Sequence, residues 1–278
     1  AMSSTLSFVS QDPFFNVPRT LAQTSQGPVQ LPILYHRTRN INAFFMVDTQ
    51  AVQAALRAAG AGALQATCNW GGKTLVALAC YEYQDTSIGV YNEIGLAVPV
   101  VRPGIQPRLS HWLQTLRDVD DPSRDVGFYV LHLPVDTDAA CAAGREIWGL
   151  PKFVTPIDFG RVDQQVDVVL FDPDHPKRRD HAILRLAGRL GASLPGPTLC
   201  PLLYSQVAGR WQRTAVNARG GGRVHAGAGL QLQLSTSQHP MTQTLRALGL
   251  DGARPWLVLD TDRFQSRLNP GRDMAGLA

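Results

Sequence analysis

Along this chain the apolar positions gather into short alternating or continuous runs, and most of these have the length and the Val, Ile, Tyr and Leu content of β-strands. "LPILYHRTRNINAFFMVD" (31–48) is extended and β-prone. It leads into "DTQAVQAALRAAG" (48–60), whose spacing predicts a helix capped by Asp48 or Thr49 and stopped by Gly60. "KTLVALACYEYQD" (73–85) and "IGVYNEIGLAVPVV" (88–101) are separated by a turn-prone "QDTS" and predict a hairpin. "RLSHWLQTLRDV" (108–119) has the pattern of a short amphipathic helix and "VGFYVLHLPV" (126–135) that of a strand. "DTDAACAAGRE" (136–146) predicts a second helix behind an Asp/Thr cap, ended by Pro151. "QQVDVVLFD" (164–172) and "AILRLAGRL" (182–190) make a strand pair around the turn "PDHPKRRD"; "RVHAGAGLQLQLS" (223–235) alternates as one strand; "MTQTLRALG" (241–249) is helical and "PWLVLD" (255–260) a strand. Strands outnumber helices and no regular βαβ alternation occurs, so the expected class is α+β, a mainly antiparallel sheet or barrel with a few peripheral helices. Without a repeat or a low-complexity linker, one domain over 31–265 is expected, between an N-terminal arm (1–30) and a C-terminal tail (266–278).

Composition narrows the function classes. A chain of 278 residues with 44% hydrophobic and 17% charged residues is globular. Its net charge of +4 comes from arginines scattered along the whole length, so it lacks the clustered basic face that nucleic-acid binding needs. No uncharged apolar run reaches the roughly 18–20 residues of a membrane span, and no secretory pattern opens the chain, so a cytoplasmic protein with no membrane partner is expected. Cys68, Cys80, Cys141 and Cys200 are too dispersed for a disulfide framework and are expected to be buried thiols.

The common catalytic motifs fail. "WGGKT" (70–74) ends like a phosphate-binding loop, but Thr67 stands where the first glycine is required, so a hairpin turn is expected there. G-x-S-x-G, H-E-x-x-H and a strand-linked G-x-G-x-x-G are all missing. The seven histidines are dispersed singly and the Asp pairs sit at turns or helix starts, so neither a metal nor any organic cofactor is expected.

Of 26 basic residues only three are lysine, namely Lys73, Lys152 and Lys177. Lys152 stands among Trp148, Leu150, Pro151, Phe153 and Val154, where burial would surround its amine with apolar surface. Such surroundings disfavour an ammonium and free the amine to attack a carbonyl. A lysine that snorkels to water is the competing possibility for this segment alone. Two features tip the balance: "YNEIGLAVPV" (91–100) and "GREIWGLPK" (144–152), about fifty residues apart, resemble the acetoacetate decarboxylase superfamily.

That resemblance implies a closed, cone-like β-barrel, a homo-oligomer, a Schiff-base role for Lys152 and an acidic role for Glu93, with Tyr91 and Trp148 as pocket walls; Phe153, next to the lysine, is a further substrate-binding candidate. It also implies an arginine on the substrate carboxylate, with Arg37 chosen and Arg39 kept open. The chain departs from the classical decarboxylases at Phe153, where they carry a second lysine; desolvation would then have to activate the amine. The expected activity is that of a Schiff-base-forming carbon–carbon lyase acting on a small keto acid, most simply an acetoacetate-like β-keto acid that loses CO2. An aldolase-dehydratase acting on α-keto acids such as pyruvate uses the same iminium, and a non-catalytic binding protein would keep the same pocket.

Overall fold

In the computed structural model, which describes residues 11–274 apart from 118 and 122, the chain opens with a hairpin of β1 (Thr20–Thr24) and β2 (Gly27–Leu31). β3 (Ile33–Asp48) follows and ends where the Asp48 carboxylate accepts from the Gln50 and Ala51 amides, starting α1 (Thr49–Ala58). After the two-residue strands β4 (Gln65–Ala66) and β5 (Asn69–Trp70) come β6 (Lys73–Thr86) and β7 (Tyr91–Val101), the expected hairpin, with its turn a little later at Ser87–Val90. Gly71 and Gly72, both at positive φ, form the two-residue turn between β5 and β6, so "WGGKT" is a hairpin turn feeding a strand. Leu109–Leu116 is a 3-10 helix; β8 (Gly127–His132) and α2 (Asp138–Trp148) follow.

The second half supplies β9 (Ile157–Val162), β10 (Gln165–Leu170), β11 (Leu184–Arg189), β12 (Ser193–Gly196), β13 (Leu202–Val207), β14 (Arg210–Arg219), β15 (Gly222–Ala226) and β16 (Leu230–Gln233). α3 (Pro240–Ala247), β17 (Leu257–Leu268) and β18 (Arg272–Asp273) complete it. "RVHAGAGLQLQLS" is therefore two strands, because a 3-10 turn at Gly227–Gly229 carries the chain from one sheet to another.

Seven strands close into a barrel in the order β17-β3-β6-β7-β8-β13-β14 and back to β17. An odd ring cannot be antiparallel throughout, since each antiparallel step reverses direction; the one parallel contact, β8 with β13, resolves the parity. A second sheet, β16-β11-β10-β9, lies against the barrel's outer surface. Between them is the main core. Ile41, Ala43, Phe45 and Val47 of β3, with the even-numbered residues of β6 and β7 that pair beside them, face outward into it and meet α1, α3 and the second sheet. The alternate residues of the same strands face the barrel interior. The core thus surrounds the barrel, and the interior is left for a cavity.

Residues 20–31 and 266–268 pair and pack with the rest of the chain. The β1–β2 hairpin is bound to α2 through Ser25, whose amide and hydroxyl donate to Glu146, and Leu31 joins the core beneath it. β17 continues past residue 265, with Ser266 opposite Tyr35 and Leu268 opposite Ile33. Among the described residues no helix is long and apolar enough to cross a membrane.

Candidate functional site

Lys152 is delivered to the barrel interior by the exit from α2. Thr137 caps the start of this helix, accepting from the Ala140 amide, and Gly149 ends it in the left-handed region at φ 65°. A side chain at 149 would stand 1.9 Å from the Gln206 carbonyl oxygen, so backbone strain and space both require glycine. Gly149, rather than Pro151, therefore stops the helix. Beyond it the chain runs extended: the Leu133 and Val135 amides donate to the Pro151 and Phe153 carbonyls, and Val135 in turn bridges to Glu93. Arg145 Nη1 donates to the Lys152 carbonyl at 3.0 Å, tying the segment back to its helix. The lysine stem crosses the helix at Gly144, where a Cβ would come within 2.3 Å of Lys152 Cε. The glycine and arginine of "GREIWGLPK" thus have separate physical duties, one opening a channel for the stem and the other fixing the backbone that bears it.

The amine reaches the carboxylate of β7. Lys152 Nζ lies 2.8 Å from Glu93 Oε2, and both residues are buried, at 5% and 7% exposure. The Tyr83 hydroxyl donates to Glu93 Oε1 at 3.1 Å, leaving Oε2 to face the ammonium. Tyr35, Tyr83 and Tyr91 form a packed group next to this pair, with the Tyr35 and Tyr91 hydroxyls 2.9 Å apart and Tyr81 stacked on Tyr83. Burial first, and the nearby Glu93 charge as a further cause, push the phenols of Tyr35, Tyr81, Tyr83 and Tyr91 above the usual tyrosine range. Tyr35, Tyr83 and Tyr91 act here as neutral hydrogen-bonding groups.

From this pair a cavity of about 140 Å³ extends through the barrel interior. Along β6 and β7 its wall is Tyr83, Tyr81, Ala79 and Ala77 beside Glu93, Gly95 and Ala97. Asn40 and Asn42 contribute amides on the opposite side of β6; both are buried, and neither side chain hydrogen-bonds to another described residue.

The seven sequence candidates separate. Lys152 and Glu93 come together in the cavity. Tyr91 stands behind the amine, its ring centroid 5.7 Å from Nζ, and does not line the cavity. Trp148 is a core residue with 1% exposure, its Nε1 donating to the Asn269 carbonyl, and not a pocket wall. Phe153 faces the other way, as the residue after an inward one on an extended chain does, and packs on His239. Arg37 and Arg39 are also outside. β3 pairs irregularly with β6 around Tyr35–Thr38, and after this bulge the even-numbered residues Asn40, Asn42 and Phe44 take the inner face. Arg37 is left exposed, while Arg39 lies on the outer side, 4.0 Å from Glu82. Lys152 is consequently the sole basic side chain among the described residues lining the cavity. The residues missed by sequence reading, Asn40, Asn42, Tyr81 and Tyr83, carry a faint signal: polar "N-I-N" and aromatic "Y-E-Y" pairs spaced by two inside apolar strands.

Comparison with known proteins agrees with this architecture. No curated protein sequence matches the chain. Among solved structures, acetoacetate decarboxylase from Legionella pneumophila superposes with a TM-score of 0.62 at 16% identity, covering 97% of this chain and 95% of that one. An acetoacetate decarboxylase-like enzyme from Sphingomonas wittichii RW1 gives 0.58 at 12% identity, over 88% and 94% of the two chains. The enduracididine biosynthesis enzyme MppR, in complex with the condensation product of pyruvate and imidazole 4-carboxaldehyde, gives 0.58 at 13% identity, over 88% and 90%. At such identities the likeness is one of fold, but the acetoacetate decarboxylase family model matches residues 16–192 of the sequence itself, well over half of its length. By fold and by sequence, the chain belongs to the acetoacetate decarboxylase family.

Proposed function

We propose that the cavity is the active site of a Schiff-base-forming decarboxylase of β-keto acids, with Lys152 as nucleophile and Glu93 as its proton carrier. The observation that carries this reading is the buried contact of 2.8 Å between Lys152 Nζ and Glu93 Oε2 in a largely apolar cavity. A proton passed from the ammonium to Glu93 leaves a neutral amine, which bonds to the ketone carbon. Glu93 returns that proton to the carbinolamine oxygen, which departs as water and leaves the iminium. The bond to the β-carboxylate then breaks, CO2 leaves, and the electron pair moves through the new carbon–carbon double bond onto nitrogen. A proton from solvent quenches the enamine carbon, and water hydrolyses the iminium to ketone and ammonium.

Asn40 and Asn42 take the place assigned by resemblance to an arginine. Their unpartnered amides lie at the level of Tyr81 and Ala79, next to Glu93 and Gly95, within reach of a carboxylate on a substrate held at Lys152. Neutral donors orient a carboxylate without the full stabilisation that a guanidinium gives, which suits a group that must lose its charge as CO2. This also favours decarboxylation over the pyruvate aldolase-dehydratase reading, in which the carboxylate survives and gains from a permanent cation.

Incubation with acetoacetate, and separately with pyruvate, followed by borohydride and peptide mass measurement is the test. A reduced adduct on the Lys152 peptide is expected with acetoacetate, and Lys152→Ala abolishes it, whereas Arg37→Ala and Arg39→Ala change its yield less than about twofold because both side chains lie outside the cavity. A pyruvate adduct without one from acetoacetate transfers the assignment to the aldolase class. No adduct with any ketone leaves a binding protein.

A further inference from the structure

The cavity is more apolar than a four-carbon keto acid requires. From Glu93 to Ala97 its wall spans five residues of β7, about 13 Å of strand. The end away from Lys152 is built by Phe44, Ala77, Ala97, Phe128, Leu199 and Leu259. Its volume of about 140 Å³ matches the ~150 Å³ of apolar space that holds a benzene molecule in another protein. Inward-facing alanines at 77, 79 and 97 and glycine at 95 keep this space open, on strands whose outward positions carry large aliphatic side chains. Asp260, the other acidic residue on the wall, is already paired with His225 and Arg161, so it does not call for a cationic guest.

We infer that the substrate is a ketone or keto acid bearing, beyond its carbonyl, an apolar group of about three carbons that lies along the barrel interior toward Phe44 and Leu259. This rests on the Schiff-base reading for the position of the carbonyl, but not for the existence of the apolar subsite. Burial of each methylene lowers the free energy enough for roughly a fourfold gain in affinity, and the gain ends when the space is full.

The full-length protein tests this with two parallel series, methyl ketones from acetone to 2-nonanone trapped by borohydride, and the corresponding secondary alcohols, which form no imine, followed by calorimetry. Half-saturating concentrations falling about fourfold per methylene and levelling near three added carbons are expected in both. Ala77→Leu, which fills the far end, is expected to weaken the longest members about tenfold more than it weakens acetone. Equal trapping at all lengths with no trend among the alcohols overturns the inference and leaves the Schiff-base reading intact. A steep trend among the alcohols with no trapped ketone supports the apolar subsite and removes the Schiff-base reading.

Discussion

Replacing Glu93 with glutamine keeps the shape of the cavity wall and the Tyr83 contact but removes the proposed proton carrier from beside Lys152. Imine formation in Glu93→Gln is expected to slow by about 10²–10⁴-fold, the usual range for losing a positioned acid–base group. Single-turnover trapping measures this, and a rate within threefold of wild type would exclude the carrier role. The two members of the buried pair were legible from sequence for a local reason: a lysine in an apolar run and a glutamate inside a strand are costly there unless partnered, and each carries its own motif. The inward-facing Asn40 and Asn42, proposed to meet the substrate carboxylate, were not legible. Whether Arg37, Arg39, Asn40 or Asn42 faces inward depends on the bulge near Tyr35–Thr38, and a single slipped residue reverses every side chain that follows. Phe153 misled for the related reason that adjacency in an extended chain separates two side chains onto opposite faces.

At the scale of elements, α2 and the segment after it decide where the amine goes. The sequence predicted this helix and its cap, since Thr137 and the small residues behind it are local signals. The need for a small residue at 144 arises only when the chain folds back over its own helix. Alanine is the better helix former by roughly 1 kcal/mol, so an isolated helix would gain from Gly144→Ala. In the folded protein the added methyl meets the Lys152 stem at 2.3 Å, and the lysine has to leave its channel. Gly144→Ala is therefore expected to retain wild-type circular dichroism and lose at least tenfold in borohydride-trapped adduct; unchanged trapping would show that the stem has another route.

The whole molecule is a barrel wrapped by its own core, and its strands could be read from alternation while its closure could not. Which strands meet, and that β8 joins β13 in parallel, depends on contacts between residues some seventy positions apart, for which single-strand patterns carry no signal. The interior arrangement has a consequence for solution behaviour. All six tyrosines are held above the ordinary phenol range, with burial as the leading cause. A raised native value means that the unfolded chain gives up these protons first, so their contribution to stability is complete below about pH 10 and is lost as pH rises beyond it. Absorbance at 295 nm during an alkaline titration is expected to show no phenol ionising near pH 10, followed by a step that coincides with loss of circular dichroism. A normal tyrosine titration in the folded protein would contradict the packing of this group.

The channel over Gly144 also bears on how fast the amine can act. A lysine at a surface samples many rotamers, and confining it takes up to about 2 kcal/mol of conformational entropy. Here the stem lies against a helix backbone with its tip on Glu93 before any ketone arrives, so that ordering is complete when the chain has folded and is not repeated at each encounter.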